Sequence, residues 1–226
     1  CVMGLGYIGL PTASLLATKG FKVHGVDVDQ DTVNTINRGE IQIYEPDLDV
    51  LVKAAVQSGN LVASTEPDKA DVFIIAVPTP FKDNHVPDLS CIEDATRAIA
   101  PYLEAGNLVI LESTSPVGTT ERMGTWLGEI RPDLGIPERK SFRMTELKNR
   151  IYLAHSPERV LPGQILKELV ENDRIIGGLD RESAESAERF YKSFVKGEVL
   201  STDVRTAELC KLTENSFRDV NIALAN

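Results

Sequence analysis

With 226 residues and 42% hydrophobic content, the chain is long enough for one large domain or two small ones around a real core, and it reads as a soluble globular protein. A formal net charge of −10 with scattered Lys and Arg excludes the basic stripe that nucleic acid demands. Apolar runs such as "VFIIAV" fall well short of the roughly 20 residues that span a bilayer, which excludes a membrane protein and suggests a cytoplasmic one.

In chain order, an apolar stub, "CVM", runs into "GLGYIGLP" and a helical stretch at about 7–19. Strands are predicted at 21–28, 60–65, 71–77, 107–114, 151–156, 174–178 and 197–202, and further helices at about 46–58, 90–105, 118–130 and 181–195. The segment from Arg131 to Arg150 is charged, carries prolines and lacks a clean period, so it is expected to be an irregular surface excursion. From Arg205 to Asn226 the pattern is helical throughout. Strand and helix alternating this often imply an α/β protein, a Rossmann-like doubly wound parallel sheet (residues 1–204) followed by the start of a long connecting helix (205–226). The cysteine start and the uncapped final helix suggest a chain cut from a longer protein. Cys1, Cys91 and Cys210 have no metal-ligand spacing, so neither a zinc site nor a disulfide framework is expected.

The first loop carries a chemical reason for its glycines. Gly4 permits a tight turn after the first strand, Gly6 lets backbone approach a pyrophosphate, and Gly9 allows close packing of helix on strand. The second strand ends in Asp27, 18 residues beyond Gly9, where a carboxylate can accept hydrogen bonds from ribose hydroxyls. A 2′-phosphate there would meet Asp27 and Asp29, with no Lys or Arg between 26 and 37 to neutralise it. NAD is therefore expected over NADP. A simpler role for Asp27 is to cap the helix that follows.

Three more loops follow strand ends on the edge where open α/β sheets bind ligands: "PTPF", "STSPVGTTE" and "PERVLPG". Each alone could be an ordinary loop or helix cap. Together they would aim Thr79, Thr114 and Glu158 at one crevice. On the last helix Lys211, Asn215 and Arg218 share a face at i, i+4 and i+7, while Leu212, Phe217, Val220 and Ile222 make much of the remaining circumference apolar. That pattern predicts a substantially buried helix whose cations need partners.

"GLGYIGLP", "AVPTPF", "ESTSPVGTTE", "SPERVLPG" and "AELCKLTENSFRDVNIALAN" together resemble the UDP-glucose/GDP-mannose dehydrogenase family, and "TPF" and "RVLPG" resemble its UDP-N-acetyl-D-mannosamine dehydrogenase branch. The resemblance implies oxidation of a nucleotide-sugar C6 alcohol to a carboxylate with two NAD, through an enzyme-bound thiohemiacetal and thioester. It implies NAD contacts at Tyr7, Ile8, Asp27, Thr79 and Thr120. Contacts to a UDP-sugar fall to Arg159, Val160, Lys211, Asn215 and Arg218. Lys211 would act as general acid/base or stabilise an alkoxide, Asn215 would orient the same oxygen, and Thr114 and Glu158 would handle water and protons. Where the UDP-glucose enzymes of the family carry a second glutamate four residues after the one matching Glu158, this chain has Pro162, which argues against UDP-glucose. The family's nucleophilic cysteine belongs to a glycine-rich motif beyond the connecting helix, and Cys1, Cys91 and Cys210 do not match it. Cys210 also points about 100° away from Lys211 around the helix. A homodimer formed through the connecting helix is implied as well. A second reading, a stand-alone NAD-binding or NAD-sensing module without catalysis, stays open.

Overall fold

The computed structural model describes residues 1–139 and 148–226; part of the irregular excursion expected at 131–150 lies outside the described residues. The first half runs β1 (Val2–Met3), α1 (Gly9–Thr18), β2 (Val23–Val26), α2 (Gln30–Asn37), α3 (Leu48–Gln57), β3 (Leu61–Ser64), β4 (Val72–Ile75), α4 (Ser90–Ile99). The second runs β5 (Leu108–Leu111), α5 (Thr119–Ile130), β6 (Tyr152–His155), α6 (Ile165–Glu171), β7 (Arg174–Gly178), α7 (Arg181–Lys192), β8 (Val199–Asp203), α8 (Val204–Ala225). Among the described residues the strands form an 8-stranded sheet in the order β3-β2-β1-β4-β5-β6-β7-β8.

Short β-branched runs become strands here because both faces of the sheet are covered. All four residues of β5, "LVIL", are buried, as a parallel strand between two helical layers requires. Successive side chains feed opposite cores: Ile74, Ile110 and Ala154 pack on one face with α1, α3 and α7. Phe73, Val109, Leu111 and Leu153 pack on the other with α4 and α5.

The predicted strands match the observed ones, with two differences around them. Two helices are added, α2 and α6, whose 8 and 7 residues are too few for a clear amphipathic period. Asp29, rather than Asp27, caps α2, its side chain accepting from the Asp31 and Thr32 amides.

The sheet is also not wholly parallel. β6 and β7 pair antiparallel, Ala154 with Gly178 and His155 with Gly177, while β7 and β8 are parallel. The 156–173 connection therefore stays at the carboxyl edge instead of crossing back over the sheet. Because Asp203 pairs with Gly178, which pairs with Ala154, α8 starts beside the end of β6.

The expected burial of the last helix holds only for its beginning. Val204, Ala207 and Glu208 are buried, whereas Phe217 is 73% and Leu224 84% exposed. Glu208 anchors this start: its carboxylate accepts from the Gly118 amide at 2.6 Å, the Thr120 amide at 2.8 Å and the Thr120 hydroxyl at 2.7 Å. It thereby satisfies the first turn of α5, which follows Gly118 at φ +97° and has no side-chain cap of its own.

His155, at the end of β6, is completely buried with neither ring nitrogen partnered, and burial lowers its pKa to about 3. A free histidine titrates near 6.5, so between these values the unfolded chain binds more protons and stability falls with falling pH. This group alone is expected to remove about 2 kcal/mol between pH 7 and pH 5. Denaturant unfolding at the two pH values should show that loss, and His155→Asn should flatten it; an unchanged slope in the variant would refute the assignment.

Candidate active site

The four loops after β1, β4, β5 and β6 meet the first turns of α8 around one cleft of about 880 Å³. A second depression, about 420 Å³, lies at the opposite edge of the sheet beside Cys1, Phe21 and Phe190, with Lys22, His24, Lys69 and Asp71 around it.

One end of the cleft is the glycine turn. Gly4 stands at φ +89°, and a Cβ there would meet the Ala76 carbonyl oxygen at 2.8 Å, so only glycine fits between β1 and β4. At Gly9 a Cβ would fall 1.7 Å from the Gly4 carbonyl oxygen, which gives the close helix–strand approach. A Cβ at Gly6 would meet nothing within 4 Å, since this residue faces open cleft. Asp27 takes the Leu5 amide on one oxygen at 2.8 Å and the Asp29 amide on the other at 3.0 Å. Each oxygen keeps a further lone pair. A bare backbone turn with a fixed carboxylate at the next strand end fits a dinucleotide, its pyrophosphate at the turn and its ribose at Asp27.

The other end holds the titratable groups. The Thr79 hydroxyl donates to the Thr114 carbonyl at 2.7 Å and the Ser113 hydroxyl to the Val77 carbonyl at 2.7 Å, which stitches the loops after β4 and β5 together. Glu158 is 6% exposed; one oxygen accepts from the Val160 amide at 2.6 Å while the other is buried without a partner. Lys211 reaches the cleft from α8, one turn past Glu208. Burial lowers its pKa, and the charges of Glu158 and Glu214 oppose that shift.

Gly4, Gly6, Tyr7, Ile8, Asp27, Thr79, Thr114, Glu158, Val160 and Lys211 all line the cleft. Gly9 packs beneath it. Thr120 does not line it, because its amide and hydroxyl are both engaged by Glu208. Arg159 forms an ion pair with Glu214 at 2.5 Å, and the Arg218 guanidinium donates to the Asn215 side-chain oxygen at 2.7 Å. Arg159, in the loop after β6, and Asn215 and Arg218, on α8, therefore lie outside the lining. Of the thiols, Cys91 lines the cleft beside Asp94 on α4.

Two groups escaped the sequence reading. Glu112 is fully buried at the cleft floor, accepts from the Tyr191 hydroxyl at 2.7 Å and faces Arg174 at 3.9 Å; burial pushes its carboxyl up. A lone carboxylate closing the apolar run "LVILE" was the available signal. Glu45, from the loop after α2, is 3% exposed, and nothing in "YEPD" distinguishes it from a surface residue.

A family model described as "UDP-glucose/GDP-mannose dehydrogenase family, NAD binding domain" matches residues 1–195. The chain belongs to the UDP-glucose/GDP-mannose dehydrogenase family. Its cofactor is accordingly NAD. Over 100% of its length it is 60% identical to a UDP-N-acetyl-D-mannosamine dehydrogenase of Campylobacter jejuni, covering 54% of that protein. It is also 60% identical to an NDP-N-acetyl-D-galactosaminuronic acid dehydrogenase of Ralstonia nicotianae, covering 52%. Among solved structures, a UDP-D-ManNAc dehydrogenase from Pyrococcus horikoshii superposes with TM-score 0.90 at 44% identity, over 99% of this chain and 51% of that one. The chain spans about half the length of the curated relatives it matches.

The fixed Asp27 carboxylate, with Asp29 beside it, should disfavour the additional phosphate of NADP by about 1–3 kcal/mol, roughly 5- to 150-fold. Calorimetric titration with NADH and NADPH checks this. Asp27→Ala should narrow the gap, and equal affinities in the unaltered protein would refute the charge argument.

Proposed function

We propose that the protein carrying this chain is an NAD-dependent nucleotide-sugar 6-dehydrogenase that oxidises UDP-N-acetyl-D-mannosamine to the corresponding uronate. The observation that carries the reading is the delivery of Lys211 into a cleft that already holds Glu158 and Thr114 at one end and the glycine turn at the other. Close relatives named for that activity support it. Relatives named for an N-acetyl-galactosaminuronic acid product support a second reading that differs only in the sugar.

The turn at Gly4 and Gly6 would seat the pyrophosphate, Asp27 the ribose, and Tyr7, Ile8 and Thr79 the remainder of the dinucleotide. When bound, NAD supplies the acceptor for a hydride from the sugar carbon. Lys211, its ammonium made easier to deprotonate by burial, holds or moves the proton at the C6 oxygen. Glu158 retains a buried carboxylate oxygen with no other partner and serves as base toward water, with Thr114 holding that water. Asn215, outside the lining and bonded to Arg218, would turn from that partner to orient the oxygen, and Arg159, Val160 and Arg218 receive the nucleotide sugar, for which Arg159 would exchange Glu214 for a phosphate. The Thr120 hydroxyl reaches the dinucleotide only by leaving Glu208, so its contribution is to hold α5 and α8 together.

Oxidation of an alcohol to an acid removes two hydrides, so the full-length protein should yield two NADH per sugar acid. Lys211→Ala should slow the first hydride transfer by roughly 10²–10⁴. Stopped-flow NADH absorbance and product analysis, run with UDP-N-acetylmannosamine and with UDP-N-acetylgalactosamine, decide the reaction and the sugar. NADH binding with no turnover of either would favour a non-catalytic NAD module instead.

The same reading places the protein in the cytoplasm and makes it a homodimer. Leu209, Phe217, Val220 and Leu224 share one side of α8 and are all more than half exposed, and an apolar strip of that kind favours a second copy. Light scattering at high concentration should return a dimer mass. A strictly monomeric mass would refute the assembly.

A further inference from the structure

Glu45 is a buried carboxylate with three neutral donors drawn from distant parts of the chain. One oxygen accepts from the Ile165 amide at 2.8 Å. The other accepts from the Gly163 amide at 2.9 Å and from the Tyr7 hydroxyl at 3.3 Å. A surface loop after α2 thus clamps two segments that flank the cleft from opposite ends. Tyr7 follows the glycine turn that would seat the dinucleotide, whereas Gly163 and Ile165 end the segment that begins with Glu158, Arg159 and Val160. Burying an ionised carboxylate costs several kcal/mol unless its oxygens are satisfied, so the two segments hold one another through this group. The bonds are not equivalent. Those to the backbone are short, while the bond from Tyr7 is long and its ring is 38% exposed at the cleft. It is the one a ligand can make or break.

We propose that Glu45 couples the two ends of the cleft: seating of the dinucleotide against Tyr7 sets, through Glu45, the position of the 158–165 segment, so that cofactor and nucleotide sugar favour each other's binding. Glu45 is then a positioning residue that touches neither ligand, and the inference rests on the function proposed above. A carboxylate that merely caps α6 would stabilise the fold and leave the two affinities independent. Coupling instead requires that each ligand distinguish the state in which the Tyr7–Glu45 bond is made from the state in which it is broken.

The test uses the full-length protein and NADH, which cannot accept a hydride, so that both ligands can be present without turnover. NADH affinity is titrated with and without saturating UDP-N-acetylmannosamine, and the sugar's affinity with and without NADH. The expected result is one mutual enhancement factor, about 5- to 150-fold in either direction. Tyr7→Phe, which keeps the ring and both backbone bonds to Glu45, should bring the factor towards one, and Glu45→Gln should do the same with a lower melting temperature. If Glu45→Gln fails to fold, Tyr7→Phe still decides the matter. A wild-type factor of one, or a factor unchanged in Tyr7→Phe, would overturn the coupling while leaving the proposed function standing. If neither NADH nor the nucleotide sugar bound, the proposed function would itself fall, and the coupling with it.

Discussion

The carboxylate of Glu208, buried at the first turn of α5, is the contact on which the chemical end of the cleft depends. Burial raises its pKa and three donors from Gly118 and Thr120 oppose that rise, so its ionised form is held by the same hydrogen bonds that complete the helix terminus. The bond set fixes α8 against α5. Lys211, three residues on, is thereby placed at the cleft before the helix leaves the body of the protein. Removing the carboxylate would strand the first donors of α5 and free the helix that carries the lysine.

The sheet itself reverses direction at β7. In a wholly parallel sheet the segment after β6 would have to cross one face of the sheet to reach the start of β7. Antiparallel pairing instead keeps residues 156–173 at the carboxyl edge, and the register of β7 and β8 leaves Asp203 level with Ala154, near the end of β6. The glycine turn and the Asp27 carboxylate belong to the ordinary parallel half. The cleft therefore joins a dinucleotide site of common design to an acid/base end that includes the segment kept at this edge, and Glu45 links the two, as the Thr79–Thr114 bond also does.

Below the cleft, Glu112, Tyr191 and Arg174 form a buried polar group of another kind. The guanidinium lies over the Tyr191 ring at 5.1 Å and beside the carboxylate, and one oxygen of Glu112 and one nitrogen of Arg174 lack a partner. A buried cation and a buried carboxyl are far less costly together than apart. Their proximity to Glu158 also places a further titratable group within electrostatic reach of the base proposed for catalysis.

Much of this protein is determined by its sequence alone. The strands appear where apolar β-branched runs end in turn residues, because burial between two helical layers demands that composition. Gly4, Gly6, Gly9 and Asp27 could be assigned roles because the turn needs residues without a side chain at fixed spacing and a carboxylate at the next strand end. Lys211 and Glu158 could be named as candidates, and a family pattern joins them. Three things only the tertiary structure decided. The short helices α2 and α6 owe their form to packing and carry too few turns to show a period. The direction of β7 leaves no local trace, since strand composition does not record which way a neighbour runs. Thr120, Glu45 and Glu112 were assigned by partners 88, 120 and 79 residues away, and a carboxylate's role is set by the donors that reach it, which the chain brings together only on folding.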